Sequence, residues 1–377
     1  MKYMGSKRAM LRNGLGKLID AEIGSFGRFV DLFAGSGSVA AHVASRYFVP
    51  VFAYDIQAYS VAVTSALVSR SSILDGGPVW EGWLARACAY YAGMSQTSHA
   101  VAFREDVRSV REWCSDQPYP ITRAYGGHYF SSSQALWLDA FRSTIPVSQE
   151  ENCAAIAALI EAASHCVAAP GHTAQPFQPT PTAWRFLLEA WNRDPTAYIR
   201  RSFLELCSGK ANVAGMATIR DANDAALDLS PHDLVFIDPP YSGVHYSRFY
   251  HVLETVALGE CGEVTGVGRY PDPSRRPKSR YSLKGQSAAA LEELLSRISQ
   301  AGATAILTFP DHTCSNGLSG EQVRELSRRH FLVDDFYVNS VFSTLGGHSS
   351  QREVDKSRQA RQAASEMMLI LRPNGSG

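Results

Sequence analysis

Eight residues decide the fold: Leu234-Val235-Phe236-Ile237-Asp238-Pro239-Pro240-Tyr241. The run of four apolar residues, most of them β-branched or aromatic, predicts a strand that is buried on both faces. The prolines end this strand, because proline has no amide hydrogen to donate to a neighbouring strand. Asp238 therefore stands at the carboxyl edge of a strand, where open α/β sheets build their ligand sites, and the rigid turn fixes its separation from Tyr241. Taken alone, the run also fits a surface turn after a core strand.

A second motif precedes it in the chain. Residues 29–33 predict a short strand, and Ala34-Gly35-Ser36-Gly37-Ser38 turns this strand into a helix predicted from about residue 39 to 47. The glycines allow a ligand to approach the backbone closely, and the free amides of the helix start favour electron-rich groups. A second predicted strand, Val51 to Asp55, ends in an acid about twenty residues on, where Rossmann-type folds bind a ribose diol.

The type of cofactor follows from what surrounds these glycines. The third glycine of the dinucleotide fingerprint is missing, which argues against a nicotinamide cofactor and for another adenosine-bearing one. Asp31 precedes the loop, and a positively charged sulfonium benefits from a nearby carboxylate. S-adenosyl-L-methionine fits both observations.

The rest of the chain completes an α/β pattern. Strands predicted at 217–220, 304–309, 331–338 and 366–371 alternate with helices, which specifies a largely parallel sheet covered by helices on both faces. Between about 72 and 210 the alternation stops, and apolar residues recur at helical spacing. We therefore expect one domain made of 1–71 and 211–377, with a mostly helical inserted domain at 72–210.

Composition sets further limits. Of 377 residues, 45% are hydrophobic and 19% charged, which is ordinary for a globular protein. The amino terminus is polar and basic and no apolar run is long enough to span a membrane, so we expect a cytoplasmic protein without a membrane partner. The seven cysteines form no Cys-x-x-Cys, which argues against zinc and against a disulfide framework. The 36 basic and 36 acidic residues cancel, so a nucleic acid must be held by a local basic face.

Three segments together resemble one family. Asp31-Leu32-Phe33-Ala34-Gly35-Ser36-Gly37 is similar to the cofactor loop, Asp238-Pro239-Pro240-Tyr241 to the catalytic motif, and Lys2-Tyr3-Met4-Gly5-Ser6-Lys7 to the amino-terminal motif of the Dam-like (alpha group) DNA adenine methyltransferases. The resemblance covers most of both ends and is patchy across the insertion. It implies a Rossmann-like methyltransferase fold, a target-recognition insertion, and methylation of the N6 amine of a flipped adenine in double-stranded DNA. It also implies a restriction-modification or phage-defence setting, with a cognate endonuclease or defence complex as partner.

The motifs and the resemblance together assign roles to residues. Catalysis falls to Asp238, Pro239, Pro240 and Tyr241, and cofactor binding to Lys2, Tyr3, Lys7, Asp31, Phe33, Gly35, Gly37, Asp55, Ile56, Asp221, Ala222 and Asp238. Asp221 fits equally well as the cap of a helix that begins at Ala222. Asp238 and the Pro239 carbonyl would accept hydrogen bonds from the target amine, and Tyr241 would stack on the extruded base, so no metal is needed.

The densest basic run follows the catalytic motif, within residues 269–284. We expect Arg275, Arg276, Lys278 and Arg280 to contact DNA phosphates, although such runs are usually solvated surface. Two other functions remain open from the sequence. One is methylation of RNA or of the N4 amine of cytosine. The other is a catalytically silent nucleic-acid-binding subunit, against which the intact glycine loop and catalytic motif both argue.

Overall fold

The computed structural model describes residues 7–94, 101, 103–343 and 361–374. Lys2 and Tyr3, two of the predicted cofactor residues, lie outside the described residues. The described strands are β1 (Arg28–Asp31), β2 (Val51–Asp55), β3 (Met216–Ile219), β4 (Asp233–Ile237), β5 (Val264–Thr265), β6 (Tyr270–Pro271), β7 (Thr304–Pro310), β8 (Phe331–Ser343) and β9 (Arg361–Pro373).

Helices connect most of these strands. They are α1 (Arg8–Met10), α2 (Gly16–Glu22), α3 (Ser38–Arg46), α4 (Ala58–Val68), α5 (Gly76–Gly93), α6 (Asp106–Ser115), α7 (Pro120–Tyr125), α8 (Ser132–Ser143), α9 (Gln149–Cys166), α10 (Trp184–Trp191), α11 (Pro195–Ser208), α12 (Ala222–Ala225), α13 (Ser247–Leu258), α14 (Ser287–Gln300) and α15 (Gly320–Arg328). Among the described residues, no helix combines the length and the apolar character needed to cross a membrane.

The chain divides into two compact units. We call Ala34–Asp221 with His245–Ser279 the Gly35 unit, and the described parts of 4–33, 222–244 and 280–377 the Asp238 unit. The Gly35 unit contributes the strands β2 and β3 to the α/β architecture, and the Asp238 unit contributes five strands. The predicted α/β, Rossmann-like architecture is confirmed. The predicted domain boundaries at 71 and 211 stay a prediction.

In the Asp238 unit the strands follow the order β1-β4-β7-β9-β8. β1, β4 and β7 pair in parallel, whereas β9 runs antiparallel to both of its neighbours. Every residue of β4 and of β7 is buried, as expected for continuous apolar strands. Because β4 and β7 are parallel, their carboxyl ends lie at the same edge of the sheet, and Asp238 stands at this edge.

In the Gly35 unit β2 and β3 pair in parallel, and helices α5 to α11 fill the insertion. Their aromatic side chains form a core: the ring of Trp80 stacks on Phe141 with centroids 5.7 Å apart, and Trp83 meets Phe203 edge to face at 5.4 Å. The mostly helical character predicted for 72–210 agrees with these elements. Sequence reasoning did not mark α5, because Gly77-Pro78 resembles a break; proline is tolerated in the first turn of a helix, where no intrahelical partner for its amide is needed.

Candidate active site

Asp238 is positioned by the register of two strands. β4 pairs with β7 so that Ile237, the last residue of β4, lies opposite Leu307. The residues that follow in the chain, Asp238 and Thr308, are therefore neighbours. The hydroxyl of Thr308 donates to Asp238 Oδ1 over 2.9 Å. Thr308 is fully buried, whereas the Asp238 side chain is 18% exposed. The strand pair thus presents a partly open carboxylate on a rigid support.

Lys7 bridges Asp238 to a second carboxylate. Its ammonium lies 3.0 Å from Asp238 Oδ1 and 3.3 Å from Glu366 Oε2, and both Lys7 and Glu366 are 5% exposed. Burial alone would lower the pKa of Lys7, but Asp238 and Glu366 outweigh it and raise that pKa above the ordinary lysine value. Burial raises the pKa of Glu366, Lys7 opposes the shift, and Asp238 adds to it. Lys7 is therefore a cation held between two acids.

The side-chain amide of the buried residue Asn316 holds the turn that follows Asp238. Asn316 Nδ2 donates to the carbonyls of Pro240 and Tyr281, at 3.0 Å each, and Asn316 is fully buried. The ring of Tyr241 is half-buried and meets Phe309 edge to face, with centroids 6.5 Å apart. The turn thus holds Tyr241 beside Asp238 with little freedom to move.

An aromatic pair stands in the same unit. Phe33 and Tyr281 meet edge to face at 5.1 Å, and the Tyr281 hydroxyl donates to Asn223 Oδ1 over 2.6 Å. Asn223 directly follows Ala222, which is buried. Asp31 is also buried, and its Oδ1 accepts from the amide of Phe33 over 3.2 Å. Of the predicted cofactor residues, Lys7, Asp31, Phe33, Ala222 and Asp238 all belong to the Asp238 unit.

The glycine turn and Asp55 come together in the Gly35 unit. Gly35 and Gly37 adopt left-handed conformations, with φ of 52° and 69°, which favour glycine. Asp55 Oδ2 accepts from the Gly35 amide and the Ser60 hydroxyl, each at 2.9 Å, and Oδ1 accepts from the Gln57 amide at 2.9 Å. Burial raises the pKa of Asp55, while these hydrogen bonds oppose the shift. The predicted pairing of glycine loop and acid is present.

Glu254 supports this region from helix α13. Its carboxylate accepts from the amides of Ala58 and Tyr59, at 2.9 and 3.1 Å, and so caps the start of α4 just after Asp55 and Ile56. Burial raises the pKa of this carboxyl. Side-chain acceptors at a helix start satisfy amides that have no partner inside the helix. Glu254 thereby fixes where the chain leaves β2.

The predicted phosphate contacts differ in their surroundings. Arg275 and Lys278 are exposed, and the guanidinium of Arg276 lies 5.7 Å from the ring centroid of Tyr270. Arg280 belongs to the Asp238 unit and pairs with Glu293 at 2.8 Å, a carboxylate that Arg297 also contacts at 2.5 Å. The DNA-binding role of the four residues stays a prediction.

Sequence reasoning missed four residues of these sites: Thr308, Asn316, Glu366 and Glu254. Glu366 gave a detectable signal, because a charged residue begins the apolar run Met367-Met368-Leu369-Ile370-Leu371. Acidic residues are rarely buried unless they are paired. The other three are polar residues whose partners are set by register or by distant loops, and no local pattern marks them.

Comparisons with known proteins agree with the predicted resemblance. The family model of D12 class N6 adenine-specific DNA methyltransferases matches residues 3–80. The chain is 26% identical over 301 residues to the modification methylase StsI of Streptococcus sanguinis, which covers 79% of this chain and 42% of that protein. It is 23% identical over 349 residues to the type II methyltransferase M.FokI of Planomicrobium okeanokoites, covering 90% of this chain and 48% of the relative.

A third relative is also a modification methylase. The modification methylase LlaI of Lactococcus lactis subsp. lactis is 24% identical over 317 residues, which are 79% of this chain and 44% of the relative. The chain thus spans less than half the length of each of these relatives. The predicted resemblance is confirmed: residues 3–80 match the D12 class N6 adenine-specific DNA methyltransferase family, and the chain is similar over most of its length to modification methylases.

Proposed function

We propose that this chain is an S-adenosylmethionine-dependent methyltransferase acting on the exocyclic N6 amine of a flipped adenine in double-stranded DNA. One observation carries the proposal: the turn after β4 bears both the partly exposed Asp238 carboxylate and the half-buried Tyr241 ring. The matched family and the names of the relatives support the same reaction.

The chemistry needs acceptors more than it needs a base. The lone pair of the adenine amine is delocalised into the ring, so the amine is a poor nucleophile. Hydrogen bonds accepted by Asp238 and the Pro239 carbonyl favour the pyramidal nitrogen that attacks, and they stabilise the positive charge that develops on it. After transfer, the nitrogen releases a proton to solvent.

Tyr241 supports the base itself. The target amine is inaccessible inside a duplex, so the adenine must leave the stack, at a cost of a few kcal/mol. Stacking on the half-buried ring of Tyr241 offsets part of that cost. Phe309 contacts the tyrosine ring edge to face, with the two ring centroids 6.5 Å apart, and so restricts its rotation.

The residues present fit an adenosine-bearing sulfonium. In the Gly35 unit, the partly buried Asp55 lies beside the glycine turn at the carboxyl end of β2, the position of the ribose-binding acid in Rossmann-type folds. A Cβ at Gly37 would lie 2.9 Å from Thr64 Oγ1, so glycine at this position lets the turn pack closely against α4. In the Asp238 unit, Asp31 supplies negative charge and Phe33 an aromatic surface. When bound, S-adenosylmethionine supplies the methyl group on its sulfonium.

The names of two relatives, which are modification methylases, support a role in restriction-modification. We propose a cognate endonuclease as the partner in that setting. We further propose that the helical insertion at 72–210 reads the DNA sequence, while Arg275, Arg276 and Lys278 contact phosphates.

Product analysis tests the proposal. The protein is incubated with tritiated S-adenosylmethionine and duplex DNA, single-stranded DNA or RNA, and the labelled nucleosides are then separated and identified by mass spectrometry. We expect the labelled product from duplex DNA to be N6-methyl-2′-deoxyadenosine. Label in N4-methylcytosine or preferentially in RNA would contradict the proposed substrate. Cofactor binding by calorimetry without any transfer would indicate a silent subunit.

A further inference from the structure

We propose that Glu366 is a positioning residue for methyl transfer, which acts through Lys7 to select the oxygen of Asp238 that receives the target amine and to keep the cluster negatively charged. This inference rests on the proposed function and names a residue that the catalytic motif does not contain.

The two carboxylate oxygens of Asp238 differ in their hydrogen-bond partners. Lys7 Nζ and Thr308 Oγ1 both lie on Oδ1, at 3.0 and 2.9 Å. A carboxylate oxygen offers two lone pairs, so these donors occupy Oδ1. Within the described part of the chain, no residue donates to Oδ2. Oδ2 is therefore the oxygen left to accept a hydrogen bond from the amine.

Glu366 helps to hold Lys7 in this position. A lysine side chain is long and flexible, and fixing it costs rotamer entropy. Glu366 Oε2, 3.3 Å from Nζ, provides a second anchor. The strand register explains the placement: Glu366 lies opposite Pro310 on β7, and Pro310 shares a face with Thr308, two residues earlier. Thr308 and Glu366 thus reach the Asp238 site from one face of the sheet.

The net charge of Lys7, Asp238 and Glu366 determines how well they stabilise a developing cation. Lys7 and Asp238 alone form a neutral pair, which would stabilise a developing cation poorly. The second carboxylate gives Lys7, Asp238 and Glu366 together one net negative charge. Methyl transfer moves positive charge from sulfur to the amine nitrogen, toward this cluster. In a buried site a net negative charge favours that movement far more than it would in water.

Titration of Glu366 should therefore appear in the rate. The charged groups that face it are Lys7 and Asp238, and Tyr241 also acts on Lys7. Burial places the pKa of Glu366 above the ordinary glutamate range. Protonation of Glu366 neutralises the cluster, so the rate should fall as the pH decreases through this raised pKa.

Two substitutions separate charge from packing. Glu366→Gln keeps the shape and an acceptor for Lys7 but removes the charge, whereas Glu366→Asp keeps the charge in a shorter side chain. In single-turnover methylation of duplex DNA, we expect Glu366→Gln to lower the rate roughly tenfold to hundredfold. Glu366→Asp should retain more activity. Calorimetry should give unchanged S-adenosylmethionine affinity, and the fall in rate at acidic pH should vanish in Glu366→Gln.

The controls make each outcome decisive. Glu292→Gln, at a surface ion pair with Arg329, should leave the rate unchanged. Suppose that the wild-type protein transfers methyl groups. An unchanged rate in Glu366→Gln, or a Glu366→Gln variant more active than Glu366→Asp, would then overturn this inference and leave the proposed function standing. Absence of transfer by the wild-type protein would overturn the proposed function and this inference with it. If Glu366→Gln does not fold, Thr308→Val removes a donor on Asp238 Oδ1 without changing the charge. A slower rate that still decreases at acidic pH supports the selection of Oδ2. An unchanged rate contradicts it.

Discussion

Replacement of Lys7 by methionine should destabilise the protein strongly, and in a pH-dependent manner. The substitution keeps the length of the side chain and removes its charge. Asp238 and Glu366, whose side chains are 18% and 6% exposed, would then face each other without the cation that lies 3.0 and 3.3 Å from their oxygens. Removing one partner of a buried ion pair typically costs about 3–5 kcal/mol, because the remaining charge is left uncompensated. We expect a loss of that size in the free energy of unfolding at neutral pH.

The pH dependence follows from the direction of the Glu366 shift. Its pKa is already raised by burial in the folded protein, and Lys7 is the neighbour that opposes this rise. In Lys7→Met the folded pKa therefore moves further above the unfolded value. A carboxyl with a raised folded pKa binds its proton more tightly in the folded state. The variant should consequently be most stable below the unfolded pKa of glutamate, and should lose stability as the pH rises through the folded pKa.

Urea unfolding followed by circular dichroism, at about pH 5 and about pH 8, measures both effects. Lys17→Met, at an exposed position of α2, is a matched control and should change the free energy of unfolding by less than about 0.5 kcal/mol. The double variant Lys7→Met/Glu366→Gln should recover much of the loss, because one of the two facing carboxylates is removed. A loss below about 1 kcal/mol, or one that is equal at both pH values, would refute the bridging role of Lys7.

Three further predictions concern ligands. Tyr241→Phe should keep substantial methylation activity and Tyr241→Ala should lose most of it, because the face of the ring supports the base; equal losses would contradict stacking. Asp55→Ala should weaken S-adenosylmethionine binding by about 1–3 kcal/mol in calorimetry, and unchanged affinity in a folded variant would remove Asp55 from the site. Changing Arg275, Arg276 and Lys278 together to alanine should weaken binding to all duplexes alike and flatten the salt dependence of log affinity by up to about three units, as followed by fluorescence anisotropy. An unchanged slope would leave this loop as solvated surface.

The sequence predicted the parts of the site that a local pattern encodes. The apolar run before Asp238 and the prolines after it mark a buried strand and its end, and both are where the pattern places them. The glycine turn and Asp55 were predictable for the same reason, since strand, turn and acid follow one another within a short stretch.

The surroundings of Asp238 could not be predicted in this way. Lys7 and Glu366 are 359 residues apart in the chain, and their contact depends on β9 inserting antiparallel beside β7. Thr308 meets Asp238 because of the register between two strands, which side-chain periodicity alone leaves open. Long-range pairing of this kind is set by the packed sheet, so the electrostatics of Asp238 became visible only with the fold.

The most direct test of the account is the effect of Asp238→Ala on methyl transfer and on cofactor binding, measured on the same preparation. Single-turnover formation of N6-methyladenine in duplex DNA reports the first, and calorimetry with S-adenosylmethionine the second. Because the carboxylate acts on the target amine and the other predicted cofactor residues remain in place, the variant should lose methyl transfer and keep most of its affinity for the cofactor. Transfer at the wild-type rate by Asp238→Ala would contradict the central role of this residue.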